Sequence, residues 1–225
     1  MQIRNIKVGE LETNCYILTN GNGCVVVDPG DDYDKIVKEI GTNEVKFILV
    51  THHHFDHVGA LDELSKNYNA KVYDRNNLEE KRYDIDGYKF EIIYTPGHKS
   101  DSISIYFYEY NFMFTGDFLF KGTIGRTDLE TGSSKEMEQS LIKISNYPDT
   151  IKIYPGHGDF STLAEEKRNN YYLKKYNWFI LMGKQKYKNI NLVIFCIIVF
   201  FLWYMIWWLH SRIGGFYENI FNRTK

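Results

Sequence analysis

The residues best suited to chemistry are concentrated in Thr51-His52-His53-His54-Phe55-Asp56-His57, where four histidines and one aspartate fall within six consecutive positions. Buried together, such side chains would leave hydrogen bonds unmet, and protonated together they would repel one another. Metal ligation removes both problems, because neutral imidazole nitrogen and carboxylate oxygen are natural donors to zinc and similar ions. In an extended loop His52 and His54 point to one side and can reach a single ion. Asp56 and His57, a turn further on, can serve a second ion. His53 points the other way and reads as a packing or surface residue.

Three more candidates stand in loops. His98 occurs in Thr95-Pro96-Gly97-His98, Asp117 in Thr115-Gly116-Asp117, and His157 in Tyr154-Pro155-Gly156-His157. A glycine precedes each and permits a sharp turn. Any one of them alone is an ordinary turn signature. With the histidine loop they supply five histidines and two aspartates for two ions. Asp117 can bridge, since a carboxylate offers two oxygens.

The elements that must carry these loops are short. Asn14–Thr19 and Cys24–Asp28 read as strands joined by a Gly21-Asn22-Gly23 hairpin. Asp31 or Asp32 can cap a helix with Ile36, Val37 and Ile40 on one face. Lys46–Thr51 is a strand leading into the histidine loop, and Val58, Leu61, Leu64 and Tyr68 then follow at helical spacing. Tyr88–Thr95, Ile103–Tyr108, Phe112–Thr115 and Ile151–Tyr154 read as strands, with a tight turn at Asp86-Gly87. Ser133 or Ser134 can start a helix carrying Met137, Leu141 and Ile144. Thr162-Leu163-Ala164-Glu165 is a capping box for a helix through about Lys175. Strands and helices in this order give an α/β (α+β) fold of two helix-covered sheets.

Composition excludes several classes. The 225 residues carry 27 Lys+Arg against 29 Asp+Glu, a net charge of -2, so no global basic field points to nucleic acid. With 25% charged and 44% hydrophobic residues the bulk of the chain is not disordered. The three cysteines, Cys15, Cys24 and Cys196, form no Cys-x-x-Cys pair, which excludes a disulfide scaffold and a cysteine zinc cluster. The opening residues lack the apolar core of a secretory signal.

His52-x-His54-x-Asp56-His57, followed by His98, Asp117 and His157, resembles the metallo-β-lactamase-fold hydrolase superfamily. The stretch from Thr115 to Leu129 (TGDFLFKGTIGRTDL) resembles its glyoxalase II-like, or hydroxyacylglutathione hydrolase-like, branch. The resemblance runs from Met1 to about Leu173. It implies an αββα four-layer sandwich with a binuclear site at the lip between the sheets. His52, His54 and His98 would hold one metal, Asp56, His57 and His157 the other, and Asp117 would bridge. Asp56 and Asp117 would be the catalytic carboxylates, and Asp28 would orient the ligand loop from behind. Arg126 aligns with a basic substrate-binding position. Two divalent ions are implied, zinc first, with iron or manganese also suited to the donor set.

The chain departs from that branch at three places. Lys99-Ser100-Asp101-Ser102 stands where many relatives carry Thr-x-Gly-Ser, and Asp159 where glutathione-specific enzymes have a tyrosine. Their helical C-terminal domain is replaced by a lysine-rich linker and an apolar tail. These departures bear on the thiol that the site grips and leave the ligand set whole. The activity implied is thioester hydrolysis by a metal-bridging hydroxide, on hydroxyacyl-thiol esters such as S-lactoylglutathione. Alternatives on the same fold are a persulfide dioxygenase-like mononuclear iron enzyme and a lactonase or other ester hydrolase. A membrane-anchored metal-binding module is the alternative outside enzymes.

The expected domains are the hydrolase at 1–175, the linker at 176–191, a transmembrane helix at 192–209 and a polar tail at 210–225. Leu192 to Leu209 holds eighteen uncharged residues, and at ~1.5 Å each a helix of that length approaches the ~30 Å hydrocarbon core. Trp203, Trp207 and Trp208 crowd one end as interfacial aromatics do. Lys174, Lys175, Lys184, Lys186 and Lys188 precede the run, which places the catalytic domain in the cytoplasm by the positive-inside rule. The partners expected are a small thioester substrate and a membrane, with no nucleic acid.

Overall fold

Alternating apolar positions, buried to opposite sides of each strand, build two sheets in this chain. The computed structural model describes residues 1–21, 23–174 and the three positions 201, 202 and 205. In chain order the first strands are β1 (Gln2–Val8), β2 (Thr13–Thr19), β3 (Cys24–Val27), β4 (Val45–Leu49) and β5 (Lys71–Tyr73), which form one sheet in that order. The pairing is antiparallel from β1 to β3 and parallel from β3 to β5. Next come β6 (Arg82–Ile85), β7 (Tyr88–Tyr94), β8 (Ile103–Phe107), β9 (Phe112–Gly116), β10 (Leu119–Phe120), β11 (Thr123–Ile124), β12 (Lys152–Pro155) and β13 (Ser161–Thr162). Of these, β10 and β11 form a hairpin, and the rest form a sheet ordered β13-β12-β9-β8-β7-β6. The helices are α1 (Tyr33–Ile40), α2 (Phe55–Val58), α3 (Leu61–Tyr68), α4 (Ser134–Ser145) and α5 (Leu163–Asn169).

Side-chain alternation divides the interior into three layers. Tyr16, Leu18, Val25, Val27, Phe47 and Leu49 of the first sheet meet Tyr88, Phe90, Ile105, Phe107 and Phe114 of the second. The opposite positions of the first sheet, such as Cys15, Ile17 and Val26, pack with Ile36 and Ile40 of α1 and Leu61 and Leu64 of α3. Ile93, Met113 and Ile153 on the far side of the second sheet meet Met137, Leu141 and Ile144 of α4 and Leu163 of α5. The result is helix, sheet, sheet, helix: the mixed α/β fold expected, in four layers.

Local signals start two of the five helices, and tertiary contacts set other ends. Ser133 Oγ accepts from the Glu136 N–H at 3.2 Å and Thr162 Oγ1 from the Glu165 N–H at 3.2 Å, so both hydroxyl caps form. Asp32 stands at the N-cap of α1 but makes no side-chain cap; its carboxylate accepts from the Gly9 N–H instead, at 3.1 Å. The continuous helical spacing from Val58 to Tyr68 is broken into α2 and α3. The Gly59 and Ala60 N–H groups donate to the Gly30 and Pro29 carbonyls, at 2.8 and 3.0 Å, and so are lost to a continuous helix. The expected last helix is interrupted: Asn170 is extended and its side chain donates to the Thr123 carbonyl at 3.0 Å, after which residues 171–174 are helical again, and Lys175 lies outside the described residues.

These elements lie in the first of two compact units, Met1–Asn177. Among the described residues no helix is long and apolar enough to cross a membrane. The linker, span and tail expected over 176–225 lie outside the described residues, apart from positions 201, 202 and 205.

Candidate metal centre

The expected ligands gather beyond the strand ends, five of them in loops and two on the short helix α2. The end of β4 delivers His52 and His54, and α2 carries Asp56 and His57. The β7–β8 loop holds His98, the end of β9 Asp117, and the end of β12 His157. Strand ends are rigid and the loops between them are free to turn, which suits a site built from many segments.

The structure brings these seven side chains together in overlapping groups: His52, His54 and His98; His52, His57 and Asp117; Asp56, His57 and His157. His54 Nδ1 lies 3.1 Å from His52 Nε2 and 2.8 Å from His98 Nε2. Asp117 lies between the groups, with Oδ1 3.2 Å from His57 Nε2 and Oδ2 3.5 Å from both His98 Nε2 and His157 Nε2. Asp56 Oδ2 is 3.1 Å from His157 Nε2.

The rear nitrogens of the rings decide which lone pairs face the centre. His98 Nδ1–H donates to the Arg126 carbonyl at 2.8 Å, and His157 Nδ1–H to the Leu11 carbonyl at 3.0 Å. A carbonyl only accepts, so the proton belongs on Nδ1 and, in the neutral ring, the Nε2 lone pair turns inward. Asp28 does the same for His57, with Oδ2 3.0 Å from Nδ1. Buried at a left-handed φ of 51°, Asp28 is itself fixed by the Thr51 N–H and hydroxyl, both at 2.7 Å.

Electrostatics agree with this at His52, Asp56 and Asp117 and run the other way at His57, whose ring the two neighbouring carboxylates favour in its protonated form. Burial and the neighbouring His57, His98 and His54 hold the His52 imidazole far below its ordinary value. Burial alone would raise the Asp56 and Asp117 carboxyls. Histidine contacts outweigh it, led by His157 at Asp56 and by His57 at Asp117, so both are held below the usual carboxylate range, Asp56 well below it. For His57 burial is outweighed by Asp28 and Asp117, which raise the ring to about 10. His57 Nε2 and Asp117 Oδ1 are buried without a hydrogen-bond partner. Converging nitrogens with no donor between them, and orphaned buried polar atoms of opposite character, are the arrangement a divalent cation satisfies. The residues present fit two such ions.

The glycines before His98, Asp117 and His157 all stand where the chain turns, but they serve it in two ways. Gly97 and Gly116 do have positive φ, at 143° and 49°, whereas Gly156 is not among the positive-φ glycines. Its role is close approach: a Cβ there would stand 2.2 Å from Asp117 Oδ1 and 2.7 Å from His57 Cε1.

Supporting groups that sequence did not single out are Thr13 and Asn14. Thr13 Oγ1 donates to Asp56 Oδ2 at 2.9 Å. Asn14 Nδ2 donates to the Pro155 and Gly158 carbonyls, at 3.0 Å each, and holds the His157 loop. The only local signal was a polar pair opening an otherwise apolar strand. Arg126 lies next to the centre through its carbonyl, but its guanidinium is on the surface, paired with Asp128 at 2.7 and 2.8 Å. His53 is not in the ligand groups and bonds Asp101 and Asp74 behind them.

Comparison with known proteins agrees with this geometry. A family model described as the metallo-beta-lactamase superfamily matches residues 8–82 and 72–157. The chain is similar to hydroxyacylglutathione hydrolase GloC of Haemophilus influenzae, 29% identical, covering 77% of this chain and 98% of that protein. It is similar to the probable metallo-hydrolase YqgX of Bacillus subtilis, 30% identical, covering 79% of this chain and 100% of that one. The crystal structure of TTHA1623 in a di-iron-bound form superposes with a TM-score of 0.70 at 30% identity, covering 76% of this chain and 100% of that one.

Proposed function

Because the chain belongs to the metallo-beta-lactamase superfamily, we propose that it is a binuclear metal-dependent thioesterase acting on hydroxyacyl-thiol esters such as S-lactoylglutathione. His52, His54 and His98 would hold one divalent ion, Asp56, His57 and His157 the other, and Asp117 would bridge, with zinc the first expectation. When bound, the ions supply a Lewis acid and lower the pKa of water from 15.7 toward ~7.

The chain's own groups orient the reactants. Asp56, fixed by Thr13, and Asp117 both present ionised oxygens toward Nε2 of His157, at 3.1 and 3.5 Å, and as ligands would be committed to the ions. Attack on the thioester forms a C–O bond and breaks the C–S bond, giving a carboxylic acid and a thiol.

The observation that carries the reading is the commitment of the rings. His57, His98 and His157 each spend Nδ1 on an outer acceptor and turn Nε2 inward, so as ligands they offer no proton to a leaving group. That suits a thiol, whose pKa near ~8.5 lets it depart as thiolate. An amine or alkoxide would need a donor. Similarity to a protein named hydroxyacylglutathione hydrolase supports the same substrate class.

Arg126 would meet a substrate carboxylate by giving up Asp128 for it, an exposed pair that solvent screens and that holds the guanidinium only weakly. In this reading the uncharged run at 192–209 anchors the chain, with the preceding lysines keeping the domain cytoplasmic. The test is thiol release from a panel of thioesters, including S-lactoylglutathione, with dioxygen uptake followed in parallel. Thioester turnover without oxygen consumption supports the reading. Oxygen consumption on a persulfide, with no thioester turnover, sinks it.

A further inference from the structure

Between two expected ligands of one ion lies a third imidazole that faces away from the centre and is held at both nitrogens. His53 Nδ1 is 2.9 Å from Asp101 Oδ2, and Nε2 is 3.2 Å from Asp74 Oδ2. The His53 backbone N–H also donates to Asp101 Oδ2, at 3.1 Å, and Lys99 Nζ reaches the same oxygen at 3.3 Å. Asp74 is braced in turn, its Oδ1 accepting the Asn76 N–H at 2.8 Å and its carbonyl the Asn77 and Leu78 N–H groups. None of this is fully exposed: the side chains of His53, Asp101 and Asp74 keep 30, 19 and 11% of their accessibility.

The connections matter because of where these residues sit. Asp74 directly follows β5, and Asp101 lies three residues after His98 in the β7–β8 loop. One imidazole therefore ties the ends of β4 and β5 in the first sheet to the His98 loop of the second. Pinning both ring nitrogens fixes the side chain, and the N–H contact fixes the peptide that joins it to His52. The fold does not need this strut, because the sheets already meet through the shared apolar layer and the Ile103 N–H donates to the Thr51 carbonyl at 2.9 Å. Partly buried ion pairs are poor sources of net stability, since desolvation offsets their attraction. Their use lies in specifying geometry.

We propose that His53 is a positioning residue: the Asp101–His53–Asp74 clamp sets the spacing between the His52/His54 loop and His98, so that three nitrogens are preformed for one cation. The proposal rests on the ligand set assigned above to the metal centre.

The test uses the full chain, stripped of metal and titrated with cobalt(II), with visible absorption and chelator competition as readouts. In His53→Ala and in Asp101→Ala, one of the two cobalt-binding steps weakens by ~10–100-fold, the usual effect of removing a group that orients ligands, while the other is unchanged. Asp101→Asn, whose side-chain oxygen can still accept from His53, restores most of the affinity. The double alanine variant is no weaker than either single, because both remove the same clamp. Alanine variants that take up both ions like the parent overturn the clamp alone, and so does a double variant whose loss is the sum of the singles. Loss of native circular dichroism in both alanine variants, with Asp101→Asn folded, also overturns it, since the role is then structural. A parent chain that takes up no cobalt overturns the ligand set and the clamp with it.

Discussion

At the scale of single residues, the side chains of the centre divide into those that would touch an ion and those that aim them. Asp117 is of the first kind, within 3.5 Å of three ring nitrogens. Asp117→Asn removes the charge that would bridge and is expected to lower metal content and activity together, by more than the ~10–100-fold typical of outer partners. Full activity at unchanged metal content would refute that role. Asp28 is of the second kind. Asparagine tolerates the left-handed backbone there but cannot supply a charge to both His57 and Thr51, so Asp28→Asn should cost ~10–100-fold in metal affinity while the protein stays folded. Equilibrium dialysis with zinc measures it. The cluster of candidate ligands was legible in the sequence because metal chemistry restricts residue type and spacing, and the structure brings those side chains together. Thr13, Asn14, Asp74 and Asp101 were not, because an ordinary polar residue gains its role only from what folding places beside it. Thr13 and Asp56 are 43 positions apart, and Asn14 and Gly158 are 144 apart.

At the scale of elements, the loops that end β9 and β12 are pressed together so closely that Gly156 has no room for a side chain. In Gly156→Ala the added methyl must displace Asp117 or His57. The cost in stability should be ~1–3 kcal/mol, as for overpacking elsewhere, with metal uptake lost as well; urea unfolding and metal analysis together check both. Thr162→Ala gives the contrast. It removes the α5 cap, and should cost ~1 kcal/mol in the same unfolding experiment without changing metal content. Elements with a long periodic pattern, such as α4 and β7, were readable within a residue or two. The two- and three-residue strands β5, β10, β11 and β13 carry too little pattern to be read, and they exist because a neighbouring strand supplies their hydrogen bonds. The break between α2 and α3 is likewise tertiary, made by the Pro29 and Gly30 carbonyls.

At the scale of the whole molecule, the four-layer arrangement follows from the alternation of buried residues in β2 to β4 and β7 to β9, and the site follows from the order in which their ends meet. The apolar run at 192–209 lies outside the described residues apart from positions 201, 202 and 205, and its role is tested separately. The full-length protein should stay with membranes after an alkaline carbonate wash, and release into the supernatant would remove the anchor. The account as a whole turns on two cations held by side chains from four segments of the chain. The most direct test is the metal content of fully active, full-length protein, measured as activity is titrated back into the stripped chain. The account predicts that thioesterase activity rises to its plateau only as the second ion per chain is taken up; full activity with one ion, or with none, would contradict it.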